Sequence, residues 1–298
     1  MRISTGMIAS RSLANVSAAY ERLAVTQEQM ATGKRINRPS DDPTGTHRTL
    51  DLNHALGRLS QYQQNATDAQ AFLGSTDAAL TQAANLLRQA RALAIQGASD
   101  TLDEYRRAGF VPQLQSVIDG LAGVANTAYG TRRIFAGQRT TEDPFVQDTS
   151  GRYRYAGGTT AAGDDDLAVD VGPGEPMVIN RSGDSLFAGA FDTLMALRDH
   201  LGEGDVTAIS KADLKALDDA LAVINEARAD VGARVQRLKQ LDDAYTAART
   251  HMTENLSKMQ DIDIAQVVVE FQTAQVTYNG ALSATKMGFQ QSLLDFLR

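Results

Sequence analysis

Apolar and small residues recur along most of this chain at alternating steps of four and three, the spacing that lays one stripe down an α-helix. In the first segment the stripe runs through Ala9, Leu13, Val16, Tyr20, Leu23 and Met30, with Gln27 filling the missing step. Residues 5–31 therefore read as an amphipathic helix with a coiled-coil seam. The pattern stops at Thr32-Gly33, where glycine can supply the left-handed conformation of a helix C-cap. The polar, proline-punctuated run Lys34-Arg35-Ile36-Asn37-Arg38-Pro39-Ser40-Asp41-Asp42-Pro43 then reads as a turn between two helices.

From about Thr44 the stripe resumes through Ala55, Leu59, Tyr62, Ala66, Ala69, Leu73, Thr76, Leu80, Ala83, Leu87, Ala90 and Ala94. A helix of about 50 residues would be roughly 75–80 Å long at 1.5 Å per residue, a rod rather than part of a compact core. A shorter helix is expected over Glu104–Tyr129, although Pro112, Gly120 and Gly123 weaken its continuity. Between Arg132 and Phe187 glycine and proline become frequent. Short alternating runs at 152–155, 167–171 and 177–179 point there to a small antiparallel β insert. Helical spacing returns over Ala190–Leu201 and breaks at Gly202-Glu203-Gly204-Asp205. It then continues from Leu214 to Met259, with Arg228, Asp242 and Arg249 at seam positions that should be apolar.

The last segment carries a second strict heptad through Ile264, Val268, Phe271, Tyr278, Leu282, Phe289 and Phe296, supplemented by Val267, Ala281, Leu293 and Leu297. The layout is thus palindromic in type: seam helix, long rod, β insert, long rod, seam helix. The fold class it predicts is mainly α, with long antiparallel coiled-coil-like rods formed by the N- and C-terminal halves and a small inserted antiparallel β domain. Terminal helices with one apolar stripe each, and no third segment to cover them, can bury those stripes only against each other or against neighbouring copies.

Composition narrows the possible chemistry. The 298 residues carry a formal charge of −7, which disfavours nucleic acid as a partner because phosphate backbones are bound by clustered Lys and Arg. The absence of cysteine removes disulfides, thiolate metal sites and cysteine nucleophiles together. The N-terminal run lacks a charged region followed by an apolar one, so it does not read as a Sec-type signal. No segment approaches the length of a membrane span, so no membrane insertion is expected. His47, His54, His200 and His251 have no metal-binding spacing, Asp164-Asp165-Asp166 lacks the pattern of a calcium loop, and Gly172-Pro173-Gly174 lacks the third glycine of a nucleotide fingerprint. No acid, base and nucleophile converge, so neither catalytic residues nor a cofactor or metal are expected.

Four stretches together resemble the flagellin superfamily, and within it the flagellin-like proteins of the hook-filament junction. They are Met1-Arg2-Ile3-Ser4-Thr5, the connector from Gly33 to Pro43, the run Arg133-Ile134-Phe135-Ala136-Gly137-Gln138-Arg139-Thr140-Thr141-Glu142-Asp143-Pro144-Phe145, and the tail Ser292-Leu293-Leu294-Asp295-Phe296-Leu297. The similarity covers the first 145 residues and the last 90 or so. Departures are Ala31-Thr32 in place of the commoner Ser-Ser, and a compact β insert.

The resemblance implies an inner domain of paired terminal helices (1–45 with 260–298), a helical rod domain (46–135 with 190–259) and an outward β insert (136–189). It implies a structural subunit joining the hook, through the first junction protein, to the flagellin filament. Implied partners are copies of itself in a ring, an export chaperone masking the C-terminal helix and the flagellar type III export apparatus. The implied location is extracellular, at the hook-filament junction.

The assembly residues expected on these grounds are Leu13, Val16, Tyr20, Leu23 and Met30 on the first helix and the seven heptad residues of the last. The turn between inner and rod domains would be fixed by Arg35, Asn37, Arg38, Pro39, Asp41 and Asp42, with Arg35 or Arg38 pairing with Asp41, Asp42 or a neighbouring subunit's carboxylates. Alternative readings are flagellin itself, disfavoured by Arg38-Pro39-Ser40 and the short insert, and a secreted adhesive or membrane-active coiled coil.

Overall fold

The computed structural model describes residues 5–99, 103–149, 151–157, 166–174 and 176–296. The helices are α1 (Thr5–Thr32), α2 (Pro43–Gly97), α3 (Glu104–Ala108), α4 (Val111–Ala125), α5 (Gly189–Glu203), α6 (Val206–Ala208), α7 (Leu214–Gln260) and α8 (Ile264–Phe296). The strands are β1 (Ala128–Tyr129), β2 (Arg132–Arg133), β3 (Phe145–Gln147), β4 (Tyr153–Tyr155), β5 (Ala168–Asp170) and β6 (Pro176–Val178). The fold is mainly α with small antiparallel β elements, as the patterning predicts. The chain divides into two compact units, Met1–Leu59 with Ala247–Arg298 and Ser60–Thr246.

In the unit Ser60–Thr246, α2 and α7 run antiparallel. Large and small residues alternate along the buried faces of both helices, Leu73, Leu80, Ala83, Leu87 and Ala90 on α2 and Leu217, Ala220, Ile224, Ala227 and Val231 on α7. Small residues beside large ones let the side chains interdigitate at close approach. Polar pairs stitch the seam's edge: Gln63 donates to Asp242 at 2.9 Å, Arg228 meets Asp77 at 3.1 Å and Arg91 meets Asp218 at 2.7 Å. Arg228 and Asp242, which interrupt the apolar stripe in the sequence, thus find polar partners on α2. The pairs reverse polarity along the helices, so a slipped register would lose them.

One expectation is corrected. The segment 104–129 is not one helix. α3 ends at Gly109, α4 begins with Pro112 in its first turn, where a missing N–H costs nothing, and Ala128–Tyr129 is a strand. The β region is antiparallel, as expected, and among the described residues it consists of three two-stranded hairpins, β1–β2, β3–β4 and β5–β6. Asn126 ends α4 and ties it to the second hairpin, its side chain donating to the Phe145 carbonyl and accepting from the Phe145 amide. The third hairpin is held to the long helices by side chains: Asn65 donates to the Asp170 carbonyl at 2.8 Å, and Tyr245 and Arg234 donate to the carbonyls of Val171 and Val178. An aromatic cluster of Phe135, Phe145, Phe187 and Phe191, each at most 2% exposed, fills the space between hairpins and helices.

Two short π-helical stretches, 184–188 and 209–213, lead into α5 and α7. The second carries Asp213, 4% exposed, toward His200, whose Nδ1 lies 2.8 Å from the Asp213 Oδ2. The hydrogen bond to Asp213 raises the His200 pKa above the ordinary imidazole value, with Asp205 and Glu203 adding to it and burial opposing it. Protonated His200 therefore stabilises the fold fully below about pH 6.5, and that contribution fades as pH rises through the raised folded value. The urea midpoint of the wild-type chain should fall as pH is taken from about 6 to 8, and His200→Gln should flatten that slope.

Candidate assembly surface

In the unit Met1–Leu59 with Ala247–Arg298, α1 and α8 pair antiparallel along their length. The direction follows from two contacts: the Tyr20 and Tyr278 ring centroids lie 5.8 Å apart, and Lys34 bridges Asp261 at the near end. The most covered positions form a heptad on each helix, Val16, Ala19, Leu23 and Thr26 against Val267, Phe271, Ala274, Tyr278, Ala281 and Thr285. Only Ala19 and Val267 among these are fully buried. A two-helix ribbon has no third layer, so its seam stays half open.

Of the stripe residues predicted from sequence, Val16 and Leu23 lie in this seam, as do Phe271 and Tyr278, and Val268 is half-buried beside it. Leu13, Tyr20 and Met30 are exposed, as are Ile264 and Leu282. Phe289 and Phe296 belong to α8, but their side chains lie outside the described residues. The seam residues that sequence reasoning missed are Ala19, Thr26, Ala274 and Thr285, small side chains with a weak apolar signal. A heptad count weighted for small residues would have found them.

Helical periodicity sorts the exposed apolar residues onto the two flanks of the seam. One flank is a ridge of large side chains: Leu13 and Tyr20 on α1, Ile264, Val268 and Leu282 on α8. The other is a groove, with Ala18, Val25, Val269 and Thr273 in its lining and Glu21 and Glu270 among the charges beside it. Ala18, Val25 and Val269 line this groove, and Met7 and Ala14 on α1 and Val276, Gly280 and Met287 on α8 continue their helical spacing beyond it. All eight are exposed.

The turn that follows α1 is held by a set of hydrogen bonds to both neighbouring helices. Gly33 sits at φ +70°, closing α1 as its sequence position predicts. The Gly33 carbonyl accepts from the Ile262 amide at 3.1 Å, and the Arg35 amide donates to the Gln260 carbonyl at 2.6 Å. The Arg35 guanidinium donates to the Met259 carbonyl at 3.0 Å, a cation on the C-terminal end of α7, and reaches the Asp42 carboxylate at 3.4 Å. Asp42 in turn accepts from the Gly45 amide at 2.8 Å at the start of α2, and that bond, first among several, lowers its pKa.

Asp41 Oδ2 accepts from the amides of Asn37 at 3.0 Å and Arg38 at 2.8 Å, which folds the chain tightly around Pro39. The Asn37 side chain donates to the Lys34 carbonyl at 3.1 Å. Arg38 pairs with Glu28 of α1 at 3.1 Å, a partner ten residues back. Ile36, buried at 6% exposure, is the turn's apolar anchor. A Cβ on Gly45 would overlap both Ile36 Cδ1 and the Asp42 carboxylate. Gly45→Ala should therefore destabilise this turn by about 1–3 kcal/mol, seen as a lower thermal midpoint, while Gly57→Ala, whose Cβ meets nothing, should not.

Among the described residues no helix is long and apolar enough to cross a membrane. The groove and ridge are apolar with scattered charge, a surface for packing rather than for chemistry. The bacterial flagellin N-terminal helical region matches residues 3–140, and the bacterial flagellin C-terminal helical region matches residues 214–297. Among curated relatives, flagellar hook-associated protein 3 of Escherichia coli K12 is 25% identical over 93% of this chain and 95% of its own. The flagellin of Bacillus subtilis 168 is 23% identical over 100% of both. A solved structure from Vibrio parahaemolyticus, described as a flagellar hook-associated protein, superposes with a TM-score of 0.67 at 24% identity, covering 74% of this chain and 100% of its own, and shows the same fold. With both flagellin helical regions matched in their order along the chain, and flagellar hook-associated relatives aligned over nearly its whole length, this chain belongs to the flagellin superfamily, a family of structural proteins of the bacterial flagellum rather than of enzymes.

Proposed function

We propose that this chain is a junction subunit between hook and filament, assembled through its α1–α8 pair. The observation that carries the assembly reading is the unlike pair of exposed apolar flanks, a ridge on one side of the ribbon and a groove on the other. In this reading the ridge of one copy packs into the groove of the next, a heterologous contact that repeats head to tail instead of closing a two-fold dimer. Each Leu, Val or Met fully covered in this way contributes about 1.5–3 kcal/mol, enough in aggregate to hold a ring of copies. Residues 1–45 with 260–298 form the inner domain in this reading, 46–135 with 190–259 the rod, and 136–189 the outward insert.

The finer placement rests on the full-length similarity to hook-associated protein 3. In this role the subunit contacts the first junction protein on the hook side and flagellin on the other. Before incorporation it passes through the flagellar type III export apparatus, with a chaperone covering α8, whose exposed Val269, Val276 and Met287 would otherwise associate early. The resemblance to a flagellin over its full length favours one second reading, a bulk filament subunit. Deleting the gene in its host separates the two. Hooks without filaments, and flagellin lost as monomers into the medium, fit the junction role. Normal filaments would remove it, and absence of flagellin from both cells and medium would establish the second reading.

A further inference from the structure

We propose that Met7 and Met287 are oxidation sites whose conversion to sulfoxide disables the groove as an assembly surface, an inference that rests on the reading of the α1–α8 pair given above. The chain has no cysteine and no tryptophan, so its thioethers are the side chains most open to two-electron oxidation. Their placement is uneven. Met177 and Met195 of the unit Ser60–Thr246 are 8% and 1% exposed, whereas Met7 is 62% and Met287 70% exposed. Periodicity puts both exposed residues on the groove flank, Met7 in line with Val25 and Met287 in line with Val269, and antiparallel pairing sets them at the same end of the ribbon. Met30 is also exposed, at 41%, but belongs to the seam side of α1.

The chemistry needs only a peroxide from the surroundings. The Met sulfur attacks one peroxide oxygen, the O–O bond breaks, an S–O bond forms, and proton transfer releases the second oxygen as water. The thioether loses two electrons and the peroxide gains them. A flexible apolar side chain becomes a polar one with a strong acceptor. In solution the sulfoxide is hydrated at little cost. Under the ridge of a neighbouring copy it would be desolvated among Leu13, Ile264, Val268 and Leu282, where the Tyr20 hydroxyl is the donor the named ridge residues offer to two sulfoxides. Once two copies are joined, the same contact shields both sulfurs, so oxidation discriminates between free and incorporated subunits.

The test treats the full-length unassembled chain with hydrogen peroxide, maps each methionine by peptide mass spectrometry over time, and follows assembly by sedimentation. Met7 and Met287 should oxidise on the order of tenfold faster than Met177 and Met195, and the treated chain should lose assembly. The double variant Met7→Leu with Met287→Leu, a volume-conserving change, should assemble before and after treatment alike. Equal oxidation of all methionines would overturn the proposal, and so would full assembly by chain oxidised at Met7 and Met287. Failure of the underlying reading is seen separately: untreated chain lacking residues 1–35 would then sediment as readily as the full chain.

Discussion

Replacing Val25 and Val269 together with aspartate is expected to abolish self-association while leaving the subunit folded. The two residues face each other across the groove and are 47% and 62% exposed in the free chain. Surface substitutions of that kind change stability by no more than about 0.5 kcal/mol, so the thermal midpoint and far-ultraviolet circular dichroism should be unchanged. In the assembled state the same positions would place two carboxylates beneath a mainly apolar ridge, next to Glu21 and Glu270, with Arg22 of the groove already beside those two acids. A penalty of several kcal/mol per contact, repeated around a ring, should raise the concentration needed for assembly at least about a hundredfold. Analytical ultracentrifugation of the variant over a concentration series reads this directly. Assembly at the wild-type concentration would show that the groove is not an interface.

The largest effect on stability is expected at Phe145. Its ring packs on Phe191 at 4.9 Å, Tyr155 at 5.4 Å and Phe187 at 6.0 Å, and it is 2% exposed. It is also where backbone and side-chain anchoring coincide, because Asn126 bonds both its amide and its carbonyl. Phe145→Ala leaves a cavity that the surrounding rings cannot close without losing contact with one another. The expected loss is about 3–5 kcal/mol in urea unfolding. Val146→Ala, one residue on and 45% exposed, should cost little and serves as the control. The helices carry most of the circular dichroism, so the hairpin's release should appear first in the near-ultraviolet tyrosine signal.

The long helices were legible because their signal is repetitive: each heptad adds the same information, and one defective position such as Arg228 does not erase it. The Gly33 stop was equally plain, since a left-handed cap admits few residues. The second half of the middle region was harder. β4, β5 and β6 show alternation in the sequence. β1 and β2 are two residues each and too short to carry a period, and β3 has two of its three residues exposed. Whether hairpins share a sheet depends on what lies between them, here helix α4 and a cluster of phenylalanines distant in sequence.

At the terminal pair the stripes of large residues were visible, but the depth of burial was not. In a two-helix ribbon the seam mixes small residues such as Ala19 and Thr26 with Val16, Leu23 and Val267, and other large residues such as Leu13, Tyr20 and Ile264 are left exposed on its flanks. The turn gave its residues but not all their partners. The Arg35–Asp42 pair was among those anticipated, whereas Arg38 reaches back to Glu28, a contact set by the angle at which α1 meets the turn.

The measurement that tests the central claim most directly is thiol labelling of Ala18→Cys. The variant carries a single thiol, because the natural chain has none, and it sits in the lining of the groove. A maleimide reagent should label it rapidly in the free subunit. In intact flagella isolated from cells expressing the variant, the ridge of the neighbouring copy should cover it, and labelling should fall to background. Labelling at the same rate in both states would contradict the account, because the groove would then be open where it is required to be filled.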